Sequence, residues 1–282
     1  MRLINYSNSS YNRASLLQAC TFLINGGSGV TRYKFSDLTK DFVESNSETL
    51  SLQRGAGYWL WKPEIIRLEL QRLGPKELLL YLDSGINFRT PLNQLLDVVD
   101  LEKITVWSGE VGNPLRRWCH RSTTESLGID EATLSKDLIM AGALVIPNTR
   151  LNQEIIEDWL RLCKQPKLLR PDTFPEIVQD DAYIWHRHDS TLLTVLVNDR
   201  PERFSQLAFQ SFVELFNLHR KGGYYFYLFD FEKLVLQQFL TTLKRVFPKR
   251  VRNLLIMIKF RLIAKRRKLS EAEIKAHRKL FK

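Results

Sequence analysis

Asp83 is the first residue whose type and position could carry chemistry. It directly follows the apolar run Leu78–Leu82 and precedes Ser84 and Gly85. Open α/β sheets bind their ligands at the carboxyl ends of strands, so a carboxylate there could bind a divalent cation or a ribose. The same pattern arises when an Asp only caps a turn. Because strand–Asp-x-Gly is a short motif, its spacing alone favours the turn.

A segment rich in glycine and tryptophan precedes that strand. It contains Gly55, Gly57, Trp59, Trp61 and Lys62. Glycine lets a backbone approach a ligand closely, aromatic rings can stack on a base or a sugar, and a lysine ammonium can bind a phosphate. In the alternative interpretation the tryptophans belong to the core and Lys62 is solvated, and an isolated aromatic run favours this alternative.

A second polar segment holds His186, Arg187, His188 and Asp189. On extended backbone the two histidines would lie on one face, opposite Arg187 and Asp189. Such a set could supply a metal ligand, a general base or a phosphate contact. The alternative is a solvated turn in which Asp189 caps a helix over residues 190–197. That capping role is compatible with a role in catalysis.

A basic cluster surrounds Trp118. It consists of Arg116, Arg117, His120 and Arg121. Arginine side chains match the oxygens of a pyrophosphate, so the cluster could hold one. A basic, solvated helix face explains the same residues equally well.

Alternating strands and helices are predicted to position these residues. We predict strands at residues 2–6, 30–35, 78–82, 104–107 and 141–146. We predict helices at residues 14–24, 36–45 (with Ser36 as N-cap), 63–73, 91–99, 152–163 and 190–197, and helix or loop over 201–243. This alternation predicts an α/β fold with a mostly parallel sheet. The continuous apolar run at 78–82 suits a sheet that is covered on both faces.

The composition limits the class of protein. The chain has 282 residues, 44% of them hydrophobic, so it can bury a sizeable core. Its three cysteines lie far apart and form neither a metal-binding pair nor a disulfide framework, which is typical of a reducing cytosol. We see neither the apolar region of a signal peptide nor a run of roughly 18 apolar residues that could cross a membrane.

Positive charge is concentrated at the carboxyl end. The residues from Lys244 on hold 15 Lys or Arg and 2 Glu, a net charge of +13, whereas the remaining chain is near −2. Residues 244–268 mix 11 of these basic residues with an imperfect apolar stripe at helical spacing. We predict an interfacial helix that binds an anionic membrane surface. A solvated helix docked on the body, or a tail that binds another protein, remains open.

In their order, these segments resemble a family of bacterial glycosyltransferase-like proteins of the GT-A type. The family pattern is a polar loop with tyrosine, a YWxWKP segment, a YxDxG strand end, a WTKRD-like segment, an Ala-Gly strand and an HRHDQS-like segment. Here these stand at residues 5–11, 55–63, 81–85, 118–122, 141–146 and 186–190. Three positions depart from the pattern. Ser122 replaces the closing Asp of WTKRD, Ser190 replaces the Gln of HRHDQS, and Gly85 replaces the second Asp of the usual D-x-D.

The resemblance implies a GT-A-like, Rossmann-like α/β fold. It implies a catalytic, nucleotide-sugar-binding domain over residues 1–200, completed by helical and aromatic residues 201–243 and followed by a basic helical tail, 244–282. The implied function is transfer of a sugar from a nucleotide-sugar donor to a polysaccharide, glycolipid or other acceptor, as in polysaccharide biosynthesis. We therefore expect a cytoplasmic protein, peripheral at the inner face of the plasma membrane.

The resemblance also implies roles for single residues. The catalytic residues would be Asp189, as base, and Asp83. A divalent cation, Mn²⁺ or Mg²⁺, would be held by Asp83 and His188. The implied donor-binding residues are Tyr6, Tyr11, Trp59, Trp61, Lys62, Asp83, Gly85 and Arg121.

An alternative keeps the fold without the catalysis. The changes in the WTKRD-like and HRHDQS-like segments are compatible with a catalytically degenerate protein that binds a sugar-nucleotide or acts as a scaffold, tethered to the membrane by its basic tail. A nucleic acid is an unlikely partner, because the body of the chain is near neutral.

Overall fold

The fold alternates strands and helices around one main sheet. The structure is a computed structural model and describes residues 1–173 and 177–218. The strands are β1 (Arg2–Tyr6), β2 (Gly29–Tyr33), β3 (Leu78–Leu82), β4 (Ile86–Phe88), β5 (Ile104–Ser108), β6 (Ile139–Pro147), β7 (Phe204–Leu207) and β8 (Phe216–Leu218). The longer helices are α1 (Asn12–Ile24), α5 (Trp61–Leu70), α9 (Arg150–Cys163) and α11 (Asp189–Asp199).

Shorter helical segments connect these elements. They are α2 (Lys40–Ser45), α3 (Ser47–Leu50), the turn α4 (Gly55–Tyr58), α6 (Leu92–Leu96), α7 (Arg121–Leu127), α8 (Glu131–Leu134), α10 (Pro166–Leu169) and α12 (Phe209–Leu215). Single 3-10 turns cover Ser9–Tyr11, Phe35–Asp37, Leu115–Arg117, Pro171–Thr173 and Pro201–Arg203.

The main sheet has six strands in the order β2-β1-β3-β6-β5-β7. Strand β1 pairs in parallel with β2 and β3, and β5 pairs in parallel with β7. Strand β6 is antiparallel to both of its neighbours, β3 and β5. A separate antiparallel pair joins β4 to β8. The predicted fold class, a mostly parallel α/β sheet flanked by helices, is confirmed.

Helices cover the sheet on both faces, as the continuous apolar run of β3 predicts. Leu79 and Tyr81 pack into a cluster shared with α5, α9 and α11. Leu80 and Leu82 point the other way and pack into a cluster shared with α1, α6 and α12. All four side chains are fully buried. Strand β3 is therefore central, and helices pack against it from both sides.

Two predicted boundaries are wrong for identifiable reasons. Ser36 does not cap a helix over 36–45, because residues 35–37 form a 3-10 turn and the side chain of Thr39 accepts the N–H of Phe42 at the start of α2. Residues 201–243 are not only helix and loop, because they contain β7 and β8. Strand β7 extends the main sheet at its edge, and its four mixed residues carry no clear alternation.

Several predictions concern residues outside those described. The basic tail from Lys244 on and the aromatic residues 224–231 lie outside the described residues, so the tail helix and the domain boundary at 243 stay predictions. All described residues belong to one compact unit, Met1–Gly222. Within residues 1–173 and 177–218, we find no helix long and apolar enough to cross a membrane.

Candidate functional site

Three charged side chains from distant parts of the sequence meet at the carboxyl end of β3. Lys62 lies in the first turn of α5, Asp83 follows β3, and Asp189 begins α11. The Lys62 ammonium lies 2.5 Å from Oδ2 of Asp189 and 3.5 Å from Oδ1 of Asp83. It also donates to the carbonyl of Ala141 in β6, at 3.1 Å. Together with Tyr81, these three charged residues form what we call the Lys62 cluster.

The two inner members of the Lys62 cluster are almost completely buried. The side chains of Lys62 and Asp189 are 3% and 5% exposed. Burial disfavours the ammonium of Lys62, but the carboxylates of Asp189 and Asp83 outweigh it, so the pKa of Lys62 lies above its ordinary value. Burial raises the pKa of Asp189, and Lys62 opposes that rise. Each charge therefore stabilises the other.

Asp83 is the member of the cluster that faces solvent. Its side chain is 40% exposed. Oδ1 accepts a hydrogen bond from the Tyr81 hydroxyl at 2.5 Å, and burial keeps the pKa of that hydroxyl well above its ordinary value. Oδ2 lies over Gly142, where a Cβ atom would come within 2.9 Å of it. Asp83 is thus held through one oxygen, while its side chain as a whole stays 40% exposed.

A buried chain of amides holds the Asp83 turn from behind. The Gln18 side chain donates to the carbonyl of Asp83, at 2.9 Å, and to that of Ile86. Its own oxygen accepts from Asn5, whose oxygen in turn accepts from Ser15. Asn5, Ser15 and Gln18 are fully buried. Sequence reasoning missed them, although polar residues at buried positions of β1 and α1 are the signal that could have found them.

The segment before α5 is a left-handed turn. Residues 55–59 all have positive φ, at +57°, +51°, +96°, +54° and +60°. Left-handed backbone costs an L-residue roughly 1–2 kcal/mol, and Ala56, Tyr58 and Trp59 all adopt it. Packing compensates in part, because the Trp61 indole donates to the Gly55 carbonyl at 2.9 Å.

Two substitutions in this turn should act in opposite directions. We expect Ala56→Gly to raise the free energy of unfolding by about 1 kcal/mol, because glycine adopts left-handed backbone without the steric cost. Gly57→Ala should lower it by about 1–3 kcal/mol, since its Cβ would lie 2.8 Å from Cα of Leu50. Urea denaturation measures both, and effects of the same sign would contradict this account of the turn.

The histidine segment lies against this turn. The ring of His188 stacks on Trp59 at 5.7 Å between centroids and meets the ring of Tyr58 edge-on at 4.8 Å. The His186 and His188 rings lie 5.4 Å apart between centroids. The expected extended backbone is wrong at His188, whose φ is +51°. Burial lowers the pKa of both histidines, so both are neutral at pH 7.

The segment around Trp118 contacts the histidine segment through the backbone. The backbone N–H of His120 donates to Nδ1 of His186 at 3.2 Å, and the Arg187 N–H donates to the Trp118 carbonyl at 3.1 Å. The Thr191 hydroxyl donates to that same carbonyl at 2.7 Å. Two of the segments that the sequence singled out are therefore joined to each other.

Tyr6 and Trp61 both lie beside the cluster and are buried. Their rings stack at 3.9 Å between centroids. The carbonyl of Tyr6 accepts a hydrogen bond from the hydroxyl of Ser84, next to Asp83. Gly85 lies within the turn that the Ile86 N–H closes on the Asp83 carbonyl. Their predicted roles in donor binding stay predictions.

Tyr11 and Arg121 lie apart from the cluster. Tyr11 is exposed in its 3-10 turn. Arg121 forms an exposed ion pair with Glu125 one turn further along α7. In the part of the chain that the structure describes, no contact joins either side chain to the Lys62 cluster. Their predicted contacts with a donor are untested.

The donor set at Asp83 does not fit a resident metal ion. Hard cations need several oxygen ligands, whereas Asp83 offers one oxygen and its other oxygen lies 3.5 Å from an ammonium. The Nδ1 atom of His188 donates to the Leu169 carbonyl at 2.8 Å, so only its Nε2 atom could bind an ion. Among the described residues, no group of three or more His, Cys, Asp or Glu side chains could hold a metal. Asp83 and His188 as joint ligands are therefore unsupported.

The chain is similar, at low sequence identity, to several solved structures of glycosyltransferases. No protein-family model and no curated protein matches the chain. A glycosyltransferase involved in the glycosylation of the major capsid of PBCV-1 is 12% identical, over 83% of this chain and 98% of that chain, with a TM-score of 0.45. Mouse xyloside xylosyltransferase 1 is 11% identical, over 73% and 84%, with a TM-score of 0.42. The galactosyltransferase LgtC, solved with donor and acceptor sugar analogs, is 13% identical, over 73% of each chain, with a TM-score of 0.39.

Proposed function

We propose that the protein is a glycosyltransferase that transfers a sugar from a nucleotide-sugar donor to a saccharide or lipid-linked acceptor. The observation that carries the proposal is the meeting of separate motif segments in the Lys62 cluster. Lys62 comes from the YWxWKP segment, Asp83 from the YxDxG segment and Asp189 from the HRHD segment. They meet at the carboxyl end of β3, where open α/β sheets bind ligands.

In this proposal Asp83 is the residue that contacts the donor. Its free oxygen would accept a hydrogen bond from a hydroxyl of the ribose or of the sugar. Lys62 contacts three oxygens of the protein and is 3% exposed, so we assign it to positioning the two carboxylates. The Asp189 carboxylate would in turn hold the Lys62 ammonium in position. This assignment differs from the roles that the resemblance implied, a phosphate contact for Lys62 and a base for Asp189.

Binding of nucleotide-sugars tests the proposal. We would titrate the wild type, Asp83→Asn and Asp97→Asn with a panel of nucleotide-sugars, by calorimetry, with and without Mn²⁺. Asp97 is an exposed aspartate at the end of α6 and serves as the control. We expect at least one donor to bind the wild type and Asp97→Asn, and to bind Asp83→Asn more weakly.

Two results would overturn this assignment. Absence of any donor binding to the wild type removes the function, and equal binding to Asp83→Asn removes the role of Asp83. Donor binding without transfer to any saccharide favours the alternative of a sugar-nucleotide-binding protein. Association with a membrane rests on the tail sequence alone and stays a prediction.

A further inference from the structure

His188 carries a buried nitrogen that none of the described residues satisfies. Its side chain is only 2% exposed. The Leu169 carbonyl accepts from Nδ1 at 2.8 Å, so Nδ1 carries the proton and Nε2 of the neutral ring is an acceptor. In the described residues, Nε2 has no hydrogen-bond partner. A buried acceptor without a partner lowers the stability of the fold, so an unsatisfied Nε2 needs an explanation.

An unsatisfied atom by itself says little, since Ser7 and Thr123 also carry one within the described residues. His188 differs in its surroundings. Its own φ is +51°, and it packs against Tyr58 and Trp59, which are left-handed as well. Strained residues persist where the surrounding structure enforces them, and they cluster at binding and catalytic sites. Strain and an unsatisfied acceptor therefore coincide directly beside Asp189.

The chemistry around Nε2 favours a neutral ligand with hydroxyl groups. Burial is the main factor that disfavours a positive charge on the His188 ring; Arg54 and Arg187 add to it, whereas Asp172 opposes it. A buried site of this kind suits an uncharged ligand better than a cation. Trp59 stacks on the ring at 5.7 Å and is itself partly exposed. A flat aromatic ring beside a hydrogen-bond acceptor suits a sugar, whose ring stacks while a hydroxyl donates.

We propose that Nε2 of His188 accepts a hydrogen bond from a hydroxyl of the sugar substrate, while Trp59 stacks on the sugar ring. The proposal rests on the proposed function, since it names the sugar as the ligand. His188 is 2% exposed in this structure, so a neighbouring group must shift to admit the hydroxyl. This sugar is either the one carried by the donor or the one on the acceptor, and the experiment separates the two.

Two variants at His188 isolate the role of Nε2. His188→Asn keeps an N–H at the position of Nδ1 for the Leu169 carbonyl but removes Nε2, whereas His188→Gln keeps a polar atom near the position of Nε2. His186→Asn is the matched control, because both ring nitrogens of His186 bond within the protein. The probes are UDP-glucose, UDP-galactose and GDP-mannose, the diphosphates UDP and GDP, and methyl glycosides as free saccharides.

We expect His188→Asn to weaken sugar binding about tenfold, the loss of roughly one hydrogen bond. Weaker binding of the nucleotide-sugar, with unchanged binding of the diphosphate, identifies the donor sugar. Weaker binding of the glycoside alone identifies the acceptor sugar. His186→Asn should change neither. If the wild type binds nucleotide-sugars and His188→Asn binds every sugar equally well, the inference is wrong and the proposed function survives.

A measurement on the wild type avoids any folding defect of the variants. Nitrogen NMR of the histidine rings reports whether Nε2 accepts a hydrogen bond. The His188 Nε2 resonance should move when the bound sugar probe is added and stay in place with UDP or GDP. An unchanged resonance at saturating nucleotide-sugar and glycoside would overturn the inference. Failure of the wild type to bind any nucleotide-sugar would instead remove the proposed function.

Discussion

Replacing Lys62 by methionine is expected to lower the free energy of unfolding by about 3–5 kcal/mol. The substitution leaves the Asp189 carboxylate 5% exposed with no cation beside it. A buried charge without a partner loses its solvation and gains nothing in return. Asp189 would have to take up a proton or draw in water, and the packing between α5 and α11 would loosen. Urea denaturation at pH 7 measures the change.

A second substitution separates the lost charge from the lost packing. In Lys62→Met with Asp189→Asn, both charges of the buried pair are gone, so most of the stability should return. The exposed pair Lys40–Glu44 gives the control, because Lys40→Met should cost no more than about 0.5 kcal/mol. A Lys62→Met variant as stable as Lys40→Met would show that the buried pair does not matter for folding.

Acidification should destabilise the protein through His188. Burial lowers the pKa of His188 from 6.5 to about 4 in the folded protein. Between these values the unfolded chain binds the proton and the folded protein does not. Above pH 6.5 the neutral His188 therefore does not lower the free energy of unfolding. As the pH falls from 6.5 towards 4, the free energy of unfolding decreases. The expected loss is on the order of 3 kcal/mol.

The surroundings of His188 decide how this pH dependence must be measured. The titratable and charged groups that act on its ring are His186, Tyr58, Arg54, Arg187 and Asp172. The pKa of His186 is lowered as well, so His186 also lowers the free energy of unfolding as the pH falls. Comparing the wild type with His188→Gln at each pH cancels these shared groups. The stability advantage of the wild type should shrink between pH 7 and 4, and a constant difference would contradict the assignment.

Local patterns predicted much of the fold. The apolar run of β3 identified a central strand, covered on both faces, that ends on Asp83. The periodicity at 152–163 identified most of α9. By contrast, β7 was missed because four mixed residues carry little signal, and its place is decided by pairing with β5. The cap at Thr39 was missed because Ser36 offered an equally plausible cap three residues earlier.

The site was less predictable than the fold, because its key contacts join distant residues. Sequence reasoning selected Lys62, Asp83 and Asp189 as candidates, but nothing local indicates that Lys62 pairs with Asp189, 127 positions away. The left-handed turn at 55–59 was also beyond reach, since two glycines permit such a turn without requiring it. Gln18 was overlooked because its role depends on the carbonyls of Asp83 and Ile86.

The Lys62–Asp189 pair also has a consequence for the order in which the chain is made. Lys62 leaves the ribosome long before Asp189 does, and domains tend to fold from their amino-terminal end during synthesis. Until α11 has been translated, the ammonium has Asp83 and the Ala141 carbonyl within reach but lacks Asp189, its nearest carboxylate. The Lys62 cluster is therefore complete only after the last of its three segments has been made.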